Sequence, residues 1–395
     1  MFFSDSDINN GLSCVGCSLS QSCNSPAMPP SGEGKKGILI IAEAPGKTED
    51  AQGKQLVGEA GQLLRRILRD YDIDLDRDCR KTNSVSCRPP GNRTPTDKEV
   101  AACRSRVWEE IRDFRPSLIL LLGGVALESF LGHRWKKDLG GITKWRGWTI
   151  PDRDANCWVV PTYHPSFLLR SRGEPVVETV FRQDIETALG CLDKPLPPSL
   201  SEDSVRLLQT EDEAVEELRK LHYVLPSTGG LMAFDYETTG LRPYDSGHEI
   251  VCCGIASELG AFAFEMTANL DLRRWLKRLL MSERIPKTAH NLKFETQWTN
   301  VILGHPVRNW AFCSMLGSHL LDNRPGVSGL KFQAYVNFGV GDYSSKIEPY
   351  LSTREGEKFN RVKEAPLRDL LQYCGMDALV QYHLAMRQME GIGIA

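Results

Sequence analysis

The sequence predicts two α/β domains, the first on a parallel sheet and the second on a mixed one. Three observations predict this. At 395 residues the chain is long enough for two or three domains. The stretch "GCLDKPLPPSLSEDS" is rich in Pro, Ser and acidic residues and reads as a linker, placed at 191–204 between domains 1–190 and 205–395. The two sides of that linker also differ in pattern: strand and helix signals alternate before it, whereas strands precede helices after it.

In the first half, "GILIIAEAPG" is an apolar, β-branched run ending in a Gly/Pro turn, and "GQLLRRILRDYD" has helical periodicity. "SLILLLGG" reads as a buried strand, "GGVALESFLG" as the helix after it, and "CWVVPTYHPS" as a strand ending in a polar turn. In the second half, Thr210 and Glu213 have capping-box spacing and start a helix. "GLMAFDYETTG", "EIVCCGIA" and "GAFAFEM" then read as a strand meander. "DLRRWLKRLL", "NLKFETQWTNVIL", "CSMLGSHLLD" and "LRDLLQYCGMDALVQYHLAMRQM" follow as helices.

Composition excludes a disordered or fibrous chain: 41% of residues are hydrophobic and 25% charged. "MFFSDSDINN" is too polar for a secretory signal, and the longest apolar run, "SLILLLGGVAL", is broken by two glycines. The expectation is a soluble, cytoplasmic protein of a bacterial or phage-infected cell. A net charge of −3 does not announce nucleic acid. The arginine-rich stretch from Gly61 to Arg115 has acidic residues interleaved, which favours a solvated face over a phosphate-binding one.

Asp235 and Glu237 stand at i and i+2 on a predicted strand, so both carboxylates point to one face. Tyr373 and Asp377 stand at i and i+4 on a predicted helix and share a face there. Between them lies "HNLKFE", with Glu295 entering a helix and Phe294 read as core. Carboxylates on several elements suit hard divalent ions and two-metal phosphoryl chemistry. "FDYETTGL", "HNLKFE" and "YCGMD" resemble, in order, the three motifs of DEDD-superfamily 3′–5′ exonucleases, and most closely the proofreading domain of DNA polymerase I-type enzymes with Tyr in the third motif. The likeness spans about 205–390. It implies a ribonuclease H-like fold in which Asp235, Glu237, Glu295 and Asp377 hold two Mg²⁺ or Mn²⁺ and Tyr373 positions the attacking water. Glu295 departs from the family's Asp by one C–C bond, about 1.5 Å.

The chain has twelve cysteines, and in an intracellular protein metal binding is the reading to test. Cys14 and Cys17 form a CxxC, with Cys87 and Cys103 far downstream. That order fits no common zinc finger, and spacing alone leaves zinc and iron–sulfur both open. "AEAPGKTED", "GKQLVGEAGQLL", "TNSVSCRPPGNRTP" and "YHPSFLLR" resemble the iron–sulfur, "family four" class of uracil-DNA glycosylases over about 12–190. The resemblance implies a [4Fe–4S] cluster on Cys14, Cys17, Cys87 and Cys103, with Cys23 a nearby competitor and the other cysteines small buried residues. It also implies a base pocket. Asn83 reads the amide edge of a flipped uracil, His164 donates to the developing anion, and Glu43 orients water or stabilises a sugar cation. Leu168, Leu169 and Arg170 form a loop entering the duplex. Two residues depart from that family: Ala42 stands where it has Gly, and Leu56 where it has an aromatic ring stacking on uracil.

Together these resemblances imply a DNA replication or repair protein with metal-dependent 3′–5′ exonuclease activity. Its glycosylase-like domain either excises uracil or serves as a non-catalytic DNA- or polymerase-binding module; a wholly non-catalytic polymerase scaffold is the third reading. The fusion resembles the front of certain phage polymerase I-type enzymes and implies DNA as partner, with a separate polymerase.

Overall fold

The computed structural model describes residues 14, 17–135, 137–171 and 174–394; the N-terminal stretch judged unlike a signal peptide lies outside them. The chain forms two compact units that divide at Pro198/Ser199, with residues 336–339 grouped with the first.

The first unit is built on five strands: β1 (Ile38–Ala42), β2 (Cys79–Asn83), β3 (Leu118–Leu122), β4 (Ile150–Asp152) and β5 (Cys157–Thr162). Their order is β2-β1-β3-β5-β4, parallel except for β4, which runs antiparallel to β5 at the edge. Every residue of β1 and β3 is buried, as expected of strands covered on both faces. The helices of six or more residues are α1 (Lys47–Gln52), α2 (Glu59–Arg69), α3 (Asp97–Phe114), α4 (Pro165–Arg170) and α5 (Pro175–Leu189). Thr96 and Glu99 close a reciprocal capping box on α3. Register aligns Ala42 with Asn83 and Leu122 with Thr162. The residues at or just past these ends, Glu43, Asn83 and His164, therefore emerge at the carboxyl edge of one sheet, where open α/β sheets place their sites.

The second unit carries β6 (Val205–Leu207), β7 (Met232–Thr238), β8 (Ile250–Ser257), β9 (Gly260–Glu265), β10 (Lys287–Ala289) and β11 (Trp310–Cys313), in the order β11-β10-β7-β8-β9-β6. β7, β8 and β9 form the expected antiparallel meander; β10, β11 and β6 add parallel pairings. Strands do not all precede helices, because β10 and β11 are interleaved with them. The helices of six or more residues are α6 (Glu211–Thr228), α7 (Leu270–Met281), α8 (Leu292–Trp298), α9 (Ser314–Leu321), α10 (Leu330–Phe338) and α11 (Leu367–Gly391). The capping box expected at Thr210 and Glu213 opens α6.

Strand alternation sorts the sheet into two faces. Phe234, Tyr236, Cys253, Ile255, Phe262 and Phe264 pack with Leu218, Leu221, Leu225 and Leu276 of α6 and α7. Cys252 and Ala263, on the opposite face, pack with Leu370, Leu371, Tyr373 and Cys374 of α11. Each large apolar side chain so buried contributes about 1.5–3 kcal/mol. That second face is the one to which Asp235 and Glu237 point.

Candidate active sites

In the second unit, β7 presents Asp235 and Glu237 opposite Gly254 and Cys252 of β8. α11 lies across them and brings Asp377, Tyr373 and Cys374. The turn from β10 into α8 passes through Asn291, at φ 76°, a left-handed position that Asn tolerates better than most residues. One turn later α8 delivers Glu295, 1% exposed, with its Oε2 lacking any hydrogen-bond partner. Phe294 packs against the core, as read from the sequence.

The carboxyls are enclosed and repel one another. Burial, then the charge of Asp377, pushes the Asp235 carboxyl up to about 8. Burial and the charge of Asp235 raise Glu237 and Glu295 well above the usual carboxylate range. Gln381 Nε2 donates to Asp235 Oδ1 at 2.7 Å, while Gln381 Oε1 has no partner. Such a group of oxygen donors, one orphaned outright, fits divalent cations, which would replace both the protons and the repulsion.

Three further side chains enter this site without having been marked by sequence spacing. Lys331 of α10 pairs with Asp377, and its ammonium lies 3.9 Å from the Tyr343 ring centroid and 4.1 Å from that of Tyr373. Tyr343 donates its hydroxyl to Asp377 Oδ1 at 2.5 Å. Gln381 is the third. Burial, and next the charge of Asp377, pushes the Tyr373 and Tyr343 phenols well up, so both hold their protons at neutral pH.

In the first unit, Asn83 is 4% exposed and its Nδ2 has no partner, an amide donor held ready for an acceptor. The backbone N–H of Ser166 donates to His164 Nδ1 at 3.2 Å. Nδ1 must therefore be the accepting nitrogen, which puts the proton of the neutral ring on Nε2. Ser166 Oγ also lies 2.8 Å from Nδ1 and accepts from Arg170 Nη1 at 3.2 Å. Burial, with Arg170 adding to it, pulls His164 down to about 4. Burial raises Glu43, and the same Arg170 partly offsets it. Gly123 gives His164 room: a Cβ there would lie 3.0 Å from the His164 Cβ.

One expectation changes. The stretch holding Leu168, Leu169 and Arg170 is helix, not loop, because His164 caps it and Pro165 supplies its first turn. Leu168 is buried in the core, whereas Leu169 is 40% exposed. Leu56 has φ 52° and a buried side chain, and its carbonyl oxygen occupies the place a Cβ on Gly61 would need, 2.0 Å away. The arginine-rich stretch proves largely engaged inside the unit: Arg65 pairs with Asp76, Arg80 with Glu110 and Arg93 with Glu99.

Cys87 and Cys103 are buried together, with Cys17 and Cys23 packed against them. Cys14 is exposed and tied to Cys17, whose backbone N–H donates to the Cys14 carbonyl oxygen at 3.2 Å. Burial pushes Cys103 up to about 11, and the Ala27 N–H donates to Cys87 Sγ at 3.2 Å. A set of sulfur donors suits iron–sulfur or another soft-metal group.

A uracil DNA glycosylase superfamily model matches residues 29–186, and a 3′–5′ exonuclease model matches 205–389. The type-4 uracil-DNA glycosylase of Thermotoga maritima is 40% identical over 157 residues, covering 40% of this chain and 78% of that protein. A DNA polymerase of Bacillus phage SP01 is 25% identical over 393 residues, covering 92% of this chain but 41% of that polymerase. Brucella melitensis NrnC superposes with a TM-score of 0.32 at 18% identity, covering 49% of this chain and 85% of that one. Among the described residues no helix is long and apolar enough to cross a membrane. Through residues 29–186 the chain belongs to the uracil-DNA glycosylase superfamily, with type-4 enzymes among its relatives, and it carries a 3′–5′ exonuclease domain behind them.

Proposed function

We propose that this chain processes DNA at 3′ ends, removing terminal nucleotides by metal-dependent hydrolysis in its second unit and holding DNA through a base pocket in its first. The observation that carries the nuclease reading is the convergence of Asp235, Glu237, Glu295 and Asp377, with Glu295 Oε2 buried and unpaired. These four carboxylates would hold two Mg²⁺ or Mn²⁺. Bound there, divalent ions supply Lewis acidity that activates water and offsets charge on the leaving oxygen.

The chain's own groups do the rest. Tyr373 keeps its proton and so orients water as a donor rather than a base. Tyr343 and Lys331 hold Asp377 in place. Gln381 fixes the rotamer of Asp235.

In the first unit, Cys14, Cys17, Cys87 and Cys103 would hold the iron–sulfur cluster, which would tie down a loop. Asn83 offers an unpaired amide donor to a base edge, and His164 offers Nε2–H to an oxygen gaining charge. Glu43, just past the end of β1, would steer water or stabilise a sugar cation. Uracil excision is the reading these groups favour. Leu56 favours the second reading, a DNA-gripping module, because a ring that stacks on the base contributes about 1–3 kcal/mol. Similarity along nearly the whole chain to a phage DNA polymerase supports DNA as partner.

End-labelled single-stranded DNA incubated with Mg²⁺ or Mn²⁺ tests the nuclease. Shortening from the 3′ end is expected, and Asp235→Ala should abolish it; intact DNA, or an unaffected variant, overturns the reading. For the pocket, uracil-containing DNA is incubated with the Asp235→Ala protein and then treated with alkali. Strand breaks at uracil support excision, and their absence leaves the gripping module.

A further inference from the structure

The carboxylate cluster contains a sulfur. Cys374 sits on α11 one residue past Tyr373, buried against β7 and β8. Its Sγ donates to the Asp235 carbonyl oxygen at 3.5 Å and lies 4.0 Å from Asp235 Oδ2. Ligand atoms of Asp235, Glu237 and Cys374 all lie within 4.8 Å of one another. Cys252, paired across the sheet with Glu237, packs in the same buried cluster as Cys374 and stands next in line as a second sulfur. Glu295 supplies a separate sign that this space is built for a cation. Its Oε2 is buried without a partner, and the charge of Asp235 reaches it.

A sulfur among oxygens changes which ions fit. Mg²⁺ and Ca²⁺ take oxygen ligands, whereas Zn²⁺ and its softer relative Cd²⁺ take thiolate as well. Asp235 and Glu237 would serve either kind of ion, so the two cannot be held together in the same place.

We propose that Asp235, Glu237 and Cys374 form a thiophilic metal site that captures Zn²⁺ or Cd²⁺ through Cys374 Sγ and, resting on the nuclease reading, thereby halts Mg²⁺-supported hydrolysis. On capture the Cys374 S–H bond breaks, its proton leaves to solvent, and a metal–sulfur bond forms with no change in oxidation state. Cys374, which the sequence marks only as a small buried residue, then becomes the residue that sets metal selectivity.

The test uses the full chain titrated with Cd²⁺, following the near-ultraviolet sulfur-to-cadmium charge-transfer absorption. The wild-type spectrum minus that of Cys374→Ser isolates the Cys374 contribution, because the thiols of the first unit contribute equally to both. Cys374→Ala is a second replacement, should Ser disturb folding. One equivalent of Cys374-dependent absorption is expected. In the same preparations, the Cd²⁺ needed to halve Mg²⁺-supported digestion of single-stranded DNA should rise about tenfold or more in the variants. No Cys374-dependent absorption overturns the site. If the absorption appears but the wild type does not digest DNA with Mg²⁺, the metal site stands and the nuclease reading falls. If DNA is digested and the absorption is missing, the reverse holds.

Discussion

Gly254 lies directly beneath Cys374: a Cβ on the glycine would sit 2.4 Å from the Cys374 carbonyl oxygen. Gly375 makes the matching approach from the helix side, where a Cβ would meet Val205 Cγ1 at 2.3 Å. Two glycines therefore let α11 settle close on the sheet, and the settling brings Asp377, Tyr373 and Cys374 against Asp235. The Gly254→Ala protein should lose about 1–3 kcal/mol of stability in its second unit, at the upper end because the obstacle is backbone. It should lose most exonuclease activity as α11 lifts. Thermal unfolding and DNA digestion check this together; a variant that melts and digests like wild type refutes the packing argument.

Glu295 stands where the resembled motif has Asp, and its Oε2 is buried and unpaired, within reach of the Asp235 charge. Charge should then matter more than length. Glu295→Gln should cut single-strand digestion at least about 100-fold, because a divalent ion is worth several kcal/mol to the transition state. Glu295→Asp should stay within about tenfold of wild type. A Gln variant as active as Asp would remove Glu295 from the metal site.

Local periodicity explains how much of this was legible. Asp235 and Glu237 share a face by strand alternation, and Tyr373 and Asp377 by the helical repeat, so each pair could be read where it stood. Lys331 could not: it reaches Asp377 across 46 residues of sequence, and within "LKF" it looks like any helical lysine. Tyr343 and Gln381 likewise arrive by packing. β10 and β11, at three and four residues, are too short to show an alternation. The Leu168–Arg170 segment did carry a helix-start signal in "HPSF", Pro at the first helical position, but the loop reading passed over it.

Lys331 competes with any cation for Asp377 while bridging two tyrosine rings. Replacing it with Met should therefore move two quantities in opposite directions. The Mn²⁺ concentration giving half-maximal digestion should fall, because a fixed positive charge has left the cluster. kcat should also fall, by roughly tenfold or more, since a desolvated cation–π contact is worth about 2 kcal/mol and Tyr373 loses its brace. A metal titration of steady-state digestion separates the two effects. Lys331→Arg should fall between, its planar fork keeping charge but not shape. A Met variant that needs more Mn²⁺ and keeps its kcat contradicts this role.

His164 makes the first unit sensitive to acid in a definite window. Its folded value, about 4, lies below the ordinary histidine value of 6.5. Between those limits the unfolded chain binds a proton that the folded ring refuses. Stability attributable to His164 is thus complete above about 6.5 and drains as pH falls toward 4, at no more than about 1.4 kcal/mol per pH unit. His164→Gln lacks that proton site. The wild type should therefore lose stability relative to this variant between pH 7.5 and 4.5, measured as denaturant midpoints of the first unit's transition. Above pH 6 the neutral ring with its proton on Nε2 should persist, visible in the ¹⁵N shifts of the imidazole. An imidazole titrating near 6.5, or a proton on Nδ1, would contradict both the buried neutral ring and its proposed use as a donor to a departing base.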